Sequence, residues 1–483
     1  MRIFYLPLLV LLTACSTEEA GPPPPAPVTP NIIFILADDL GYGDLGCYGQ
    51  EVIPTPNIDQ LAKEGVRFTR FYAGSTVCAP SRVSLMTGKM PGRTSVWGNG
   101  AGQQIKDEET TLAELLSGAG YTSGVIGKWG MGSPQPPSDP ARNGFDYAYG
   151  YSDMLHAHNF YPEYVIKNGE REPLAGNVSR TDIDWSSHYS RSQPMGGGVA
   201  KQKVTYTIDE FDREAAEFIR RNKDTTFFLY LTPNTPHANN EAGWYGEHGM
   251  EVATVKVEDE YVYDFGEFSD KDWPEAEKGF AKMITNLDRT VGMVREELVA
   301  AGVADNTIIM FTSDNGPHEE GKHALDFFDS NGPLRGSKRD LYEGGIRVPF
   351  IAHWPGYFPA TTTDFPFAFW DVMPTLAELT NQPVPEQTDG LSFLPTLKSE
   401  AIEAQRTHEF MYWDFYEQGG KQAVLNQDGY KLVRLHWRDK KPEEFELYNV
   451  VNDIGEERDL IAEPELQELV AELKDYLAGQ VAR

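Results

Sequence analysis

Cys78-Ala79-Pro80-Ser81-Arg82 sets a thiol close to a guanidinium, at the start of a run that reads as a helix. Pro80 suits a first helical turn, where its missing N–H costs nothing. Val83, Leu85 and Met86 can face a core, and Gly88 is a stop. A group held before that turn meets the positive end of the helix dipole, which suits an oxyanion. A cysteine considered alone is more often a small buried apolar residue, so the other polar residues must decide. Asp38, Asp39, Asp314 and Asn315 are hard oxygen donors, suited to calcium or magnesium and poor for copper or zinc. Adjacent carboxylates such as Asp38 and Asp39 repel unless a cation lies between them.

The elements around these residues say whether they can meet. Asn31 to Ala37 is a continuous apolar run of strand length and ends at Asp38. Thr55-Pro56 opens a helix stopped by Gly65, and Val66 to Tyr72 is a strand feeding the Cys78 loop. Thr111 to Ser117 reads as a helix and Thr122 to Gly127 as a strand followed by Lys128. Helix Asp209 to Arg221 precedes strand Thr226 to Leu231, after which comes His237. Helix Ala281 to Ala301 precedes strand Thr307 to Thr312, after which come Asp314 and Asn315. Helix alternates with buried strand, so the spacing predicts an α/β fold with a mostly parallel sheet between helices. Ligands in such sheets bind beyond the carboxyl ends of the strands, where four separate strands deliver these polar groups. Two long polar stretches, Tyr151 to Lys203 and Ala238 to Asp272, read as walls of a substrate cleft. Helix Asp371 to Leu379 closes the main domain. Short alternating runs and a final helix, Pro464 to Leu477, then predict a small antiparallel sheet packed with a helix.

Cys-x-Pro-Ser-Arg, continued as Leu85-Met86-Thr87-Gly88, resembles the signature of the type I sulfatases of the alkaline phosphatase superfamily. Gly127-Lys128-Trp129-Gly130, Asn234-Thr235-Pro236-His237 and the block from Gly332 to Pro349 extend the resemblance, the last toward a bacterial polysaccharide-sulfatase subset. The resemblance implies an alkaline-phosphatase-like fold. It implies that a maturation enzyme oxidises Cys78 to formylglycine (3-oxoalanine), whose hydrate is the nucleophile. It assigns Asp38, Asp39, Asp314 and Asn315 to one calcium ion. By the same resemblance Arg82 and Lys128 neutralise the nucleophile's oxygen, while His237 and Lys338 contact the sulfate and either His237 or Lys338 protonates the leaving oxygen. One departure stands out. Many sulfatases carry histidine where Gly130 lies, and there it helps sulfate to leave; by analogy with relatives sharing the glycine, His158 takes that role, with a sugar-binding wall histidine as the other reading. His323 and Lys421 are first guesses for substrate contacts. The implied activity is hydrolysis of sulfate esters on a polysaccharide or oligosaccharide. The alternatives are a phosphate or phosphonate monoester hydrolase of the same superfamily and a catalytically dead carbohydrate-binding lipoprotein.

The 483 residues carry a formal net charge of −31, which argues against nucleic acid as a partner and requires cations to be concentrated wherever an anion binds. Residues 1–30 read as a signal peptide and proline-rich tether, 31–400 as the catalytic domain and 401–483 as a C-terminal α+β subdomain. Ile3 to Leu12 is too short to span a membrane and looks like a signal core. Leu12-Thr13-Ala14-Cys15 resembles the bacterial lipoprotein box, which implies a lipidated Cys15 and an exported protein anchored at the bacterial cell envelope. With Cys15 and Cys78 so committed, Cys47 has no disulfide partner.

Overall fold

Every residue of Asn31–Ala37 is buried, and this strand lies in the middle of an 11-stranded sheet. The computed structural model describes residues 29–99, 103–131, 139–181 and 197–480; Cys15 and the signal segment lie outside them. Thr307–Ser313, Asn31–Ala37, Phe227–Thr232, Thr122–Lys128 and Tyr147–Tyr151 pair in that order, all parallel. Beyond Thr307–Ser313, strand Arg347–His353 runs antiparallel to it and to Val66–Tyr72. The carboxyl ends of the parallel strands and of Val66–Tyr72 therefore share one sheet edge with the start of Arg347–His353. Asp38, Lys128, Asp314, the Cys78 loop and the segment before Arg347 all leave the sheet at that edge.

Alternate residues of the central strand feed two cores, as a strand covered on both faces requires. Ile33 and Ile35 pack with helices Pro56–Glu64, Thr207–Asn222 and Glu275–Ala301. Ile32, Phe34 and Leu36 pack with helices Cys78–Thr87, Leu112–Gly118 and Val372–Leu379. Each such fully buried side chain contributes about 1.5–3 kcal/mol. All ten residues of Cys78–Thr87 are buried, and the helix bearing the thiol packs between the sheet and helices Leu112–Gly118 and Val372–Leu379.

The expected helices and strands are present within a few residues of their predicted ends, with three differences. The long helix begins at Glu275 rather than near Ala281. Its first turns break the apolar stripe, because Glu277 is buried against His323 and Gly279 lets the Met250 backbone approach. Arg347–His353 is a central strand that the alternation argument did not isolate, since it follows a helix of only four residues. The two long polar stretches are not plain loops: they hold hairpins Tyr164–Lys167 with Glu170–Pro173, and Thr254–Val257 with Glu260–Tyr263.

The C-terminal subdomain is a four-stranded antiparallel meander, Phe410–Phe415, Lys421–Asn426, Tyr430–Leu435 and Glu444–Asn449, with helix Gln467–Gln480 packed through Val470, Leu473 and Leu477. The Trp413 indole N–H donates to the Ala73 carbonyl at 2.9 Å, and Tyr72, Val77 and Trp370 share the subdomain's core. A buried polar joint reinforces this contact. Lys431 lies 2.7 Å from Glu343 and 2.8 Å from Glu456, with both carboxylates and the ammonium shielded from water. Tyr72 and Arg347 also bind Glu343. Replacing Lys431 with methionine leaves two buried carboxylates short of a cation and should cost about 3–5 kcal/mol of stability. Urea denaturation of the variant checks this; a loss below about 1 kcal/mol would show that water already compensates the joint.

Candidate active site

Six charged side chains form the centre of the sheet edge. Lys128 Nζ reaches both Asp38 oxygens, at 2.8 and 2.6 Å. Arg82 clasps Asp314 through Nε at 2.9 Å and through its terminal nitrogen at 2.8 Å. It also lies 3.4 Å from Asp38 and donates to the Lys128 carbonyl at 2.7 Å. Lys338 Nζ donates to Asp39 at 2.7 Å. Cys78 Sγ lies 3.9 Å from Asp39. Asp38, Asp39, Arg82, Lys128 and Asp314 are fully buried, and Lys338 nearly so. A chain with a strong acidic excess has thus gathered three cations at one point, matched there by three carboxylates.

Local backbone contacts explain the convergence. The Asp38 N–H donates to the Thr235 carbonyl, tying the central strand to the His237 loop. The Asp314 N–H donates to the Ala37 carbonyl, and the Asp39 N–H to the Asp314 carboxylate. Asp39 has φ of 64°, a left-handed conformation that ordinary residues rarely adopt. That turn directs the two adjacent carboxylates to different cations. Gly316 is needed because a Cβ there would lie 1.8 Å from the Gly344 carbonyl oxygen. This close approach, with the Lys338 N–H bonded to the Pro317 carbonyl, fixes Lys338 against the Asp314 loop.

Burial alone would raise the Asp38 carboxyl, but Lys128, His237 and Arg82 override it and hold the group well below the carboxylate range. Asp314 behaves otherwise. Burial pushes it up to about 7, and Asp38 and Asp39 add to the push against Arg82. Burial also pushes the Cys78 thiol well above its ordinary value against Lys128, and Asp314, Asp38 and Asp39 add to the push. A thiol pushed up in this way gives up its proton less readily than the activated cysteines that work as thiolates.

The donor set fits a hard cation. Asp38, Asp39 and Asp314 place hard oxygens together, and Asn315 donates from Nδ2 to Asp39 at 2.7 Å while its Oδ1 is buried without a partner. An orphaned amide oxygen beside three carboxylates, one of them hard to ionise, suits a hard dication. Among the described residues a second group, Asp39, His318 and Glu320, also approaches ligand spacing. It does not suit a metal. The His318 Nε2–H donates to the Pro236 carbonyl, its Nδ1 accepts the Glu320 N–H, and the Lys338 ammonium bridges Asp39 and Glu320.

His237 Nδ1 lies 2.6 Å from the Ala238 carbonyl, so this nitrogen carries the proton and Nε2 accepts from Lys338 at 3.1 Å. Burial, then Lys338, push the imidazole down to about 3. The His158 ring stacks on His237 with centroids 5.0 Å apart, and its Nδ1 is 3.1 Å from Glu241. Gly130 has φ of 69°, a left-handed conformation that glycine adopts freely, and a Cβ there would press only on the Met154 sulfur, at 3.3 Å.

The structure therefore brings together Cys78, Arg82, Lys128, His158, His237, Lys338, Asp38, Asp39, Asp314 and Asn315. The two expected substrate contacts lie elsewhere. His323 stacks on Phe280 at 3.6 Å, binds Glu277 at 2.7 Å and exposes no side-chain surface, so the expectation for it is corrected. The Lys421 ammonium is taken by the Arg339 carbonyl and Asp340, which makes it a strut for the Lys338 turn. The helix mouth is also less open than expected, since Asn99 caps the Ala79 N–H at 3.0 Å. Sequence reasoning missed Glu241, Glu320 and Arg339. Their only signals were position: Glu320 lies in the loop after Asp314-Asn315, and Arg339 follows Lys338 directly.

The sulfatase family model matches residues 30–382, and the model for the C-terminal part of N-sulphoglucosamine sulphohydrolase matches residues 336–482. The N-acetylgalactosamine-6-O-sulfatase of Bacteroides thetaiotaomicron is 30% identical over 81% of this chain and 81% of its own length. The steryl-sulfatase of Rattus norvegicus is 30% identical over 84% of this chain and 76% of its own. Among solved structures, one from a study of glycosaminoglycan metabolism by Bacteroides thetaiotaomicron superposes with a TM-score of 0.72 at 26% identity, covering 94% of this chain and all of that one. Ps i-CgsB in complex with k-i-k-neocarrahexaose gives 0.72 at 28% identity, covering 93% of each chain. The chain belongs to the type I sulfatase family of the alkaline phosphatase superfamily and is a sulfuric ester hydrolase.

Proposed function

We propose that this sulfatase removes sulfate from a carbohydrate, using an aldehyde hydrate made from Cys78 and one calcium ion. The observation that carries the reading is the cluster itself. The Cys78 side chain lies beside hard oxygen donors and three buried cations, where a carbonyl hydrate needs no thiolate and an anionic ester meets positive charge. Two relatives support the carbohydrate: one is named N-acetylgalactosamine-6-O-sulfatase, and one solved neighbour is in complex with k-i-k-neocarrahexaose. Cys15, outside the described residues, would hold lipid and anchor an exported enzyme at the bacterial envelope. Among the described residues no helix is long and apolar enough to cross a membrane. A maturation enzyme that oxidises Cys78 is the required partner.

Asp38, Asp39, Asp314 and Asn315 would hold the calcium, which would supply positive charge against the sulfate oxygens and the nucleophile. The hydrate would supply one hydroxyl as the attacking oxygen. The chain's own groups do the rest. Arg82 and Lys128, fixed by Asp314 and Asp38, offset negative charge developing beside residue 78, and they are already oriented before substrate arrives. Lys338 carries a proton at Nζ that can pass to the departing alcohol. His237 does not compete for that role, because its Nε2 is unprotonated and accepts from Lys338. Glu241 orients His158 through Nδ1, leaving Nε2 as a base for the step that frees sulfate.

The superfamily's phosphate and phosphonate hydrolases remain the nearest rivals. The phosphonate monoester hydrolase of Agrobacterium radiobacter shares the fold at 21% identity. A second metal is not supported here, since Lys338 bridges the only other carboxylate–histidine group among the described residues.

Ion chromatography of sulfate released from chondroitin, carrageenan and heparin oligosaccharides tests the reading, with protein co-expressed with a maturation enzyme. Release from at least one, abolished in Cys78→Ala, is expected; phosphate release from sugar phosphates without sulfate release would contradict it. Lys128→Ala and Asp39→Asn should each lower kcat by about 10²–10³-fold, each removing one preorganised charge. His158→Ala should release one equivalent of alcohol in a burst and then turn over slowly, with kcat down by about 10²-fold and KM little raised. Glu241→Gln should fall between it and the wild type. Rapid steady turnover in His158→Ala would return His158 to a wall of the cleft.

A further inference from the structure

Three acceptors share the Lys338 ammonium: Asp39 at 2.7 Å, His237 Nε2 at 3.1 Å and Glu320 at 3.1 Å. A lysine has three N–H donors. None is left for an incoming anion while all three acceptors stay. Two of them cannot leave. Asp39 is fully buried and accepts from Asn315, and His237 is held by Ala238 with its side chain 2% exposed. Glu320 is different: its side chain is 18% exposed, and its second oxygen already rests on Arg339 at 2.7 Å.

The surroundings equip Glu320 to move only a short way. Its N–H is anchored on His318, whose other nitrogen is anchored on Pro236. Arg339 has φ of 77°, its N–H is bound to the Thr76 carbonyl, and its own carbonyl accepts from Lys421. The carboxylate can therefore release Lys338 and remain on Arg339, at the edge of the site.

We propose that Glu320 is a displaceable stand-in for the substrate and a charge filter. Its carboxylate occupies on Lys338 the place of an oxygen of the bound ester. It gives way to that oxygen, and from Arg339 it favours a singly charged ester over a doubly charged one. The proposal rests on the sulfatase reading and specifies how that site selects its anion. A sulfate monoester carries one charge and a phosphate monoester, above its second ionisation, carries two. Repulsion from a fixed carboxylate scales with the ligand's charge. At a separation of several ångströms in a partly buried site, one extra charge is worth about tenfold or more in affinity.

Calorimetric titration of calcium-loaded protein retaining the thiol at position 78, at pH 8, separates the outcomes. The probes are phenyl sulfate and phenyl phosphate, which differ in charge and little in shape. Glu320→Gln should raise the affinity for phenyl phosphate about tenfold relative to phenyl sulfate, because the amide still accepts from Lys338 but bears no charge. Glu320→Asp should keep the wild-type ratio. An unchanged ratio in Glu320→Gln, equal losses for both ligands, or failure of the wild type to bind phenyl sulfate would each overturn the proposal. Binding with the expected ratio, but no hydrolysis of any sulfate ester by aldehyde-bearing enzyme, would instead sink the functional reading and leave Glu320 its role.

Discussion

Charge matching in a dry place governs this molecule. Three buried carboxylates, Asp38, Asp39 and Asp314, face three buried cations, Lys128, Lys338 and Arg82, where bulk water cannot solvate any of them. An unpaired ion in such a place costs several kcal/mol, so each side chain holds its position only because its partner does. The cluster is a rigid lattice of fixed charges before any ligand arrives. That rigidity lets it act electrostatically without reorganising. It also places a demand on the fold: six side chains from distant parts of the chain must be positioned within tenths of an ångström. A sheet whose parallel strands end at one edge meets the demand with short loops.

Much of this arrangement was legible in the residues. The apolar run Asn31 to Ala37 ending in two aspartates reads as a buried strand delivering carboxylates to an edge, and the structure has it so. Lys128 after Thr122–Lys128 and Asp314 after Thr307–Ser313 followed the same logic. What stayed illegible was whatever depends on contact between segments far apart in the chain. Glu241 looks like any exposed acid in a polar loop until His158 is found beside it. His323 sits among acidic and polar residues in sequence, yet Phe280 and Glu277, more than forty positions away, enclose it. Arg347–His353 runs against the grain of the sheet, and nothing in its own composition states the direction of its neighbours.

The C-terminal subdomain belongs to the same electrostatic economy. Lys431 and Glu343 tie its sheet to the short helix that follows Lys338, and Lys421 props the turn carrying Lys338 and Arg339. The subdomain thus reaches Lys338 through two buried or half-buried struts rather than through a residue of its own in the cluster. Its separate family match, beginning at residue 336, includes both the struts and the turn they support.

The central claim is that residue 78 does its chemistry as a carbonyl hydrate and not as a thiol. Mass spectrometry of the tryptic peptide from Phe71 to Arg82, taken from enzyme that releases sulfate, measures this directly. The account predicts an aldehyde at position 78 in proportion to the activity of each preparation. Full activity from protein whose position 78 is entirely an unmodified thiol would contradict it.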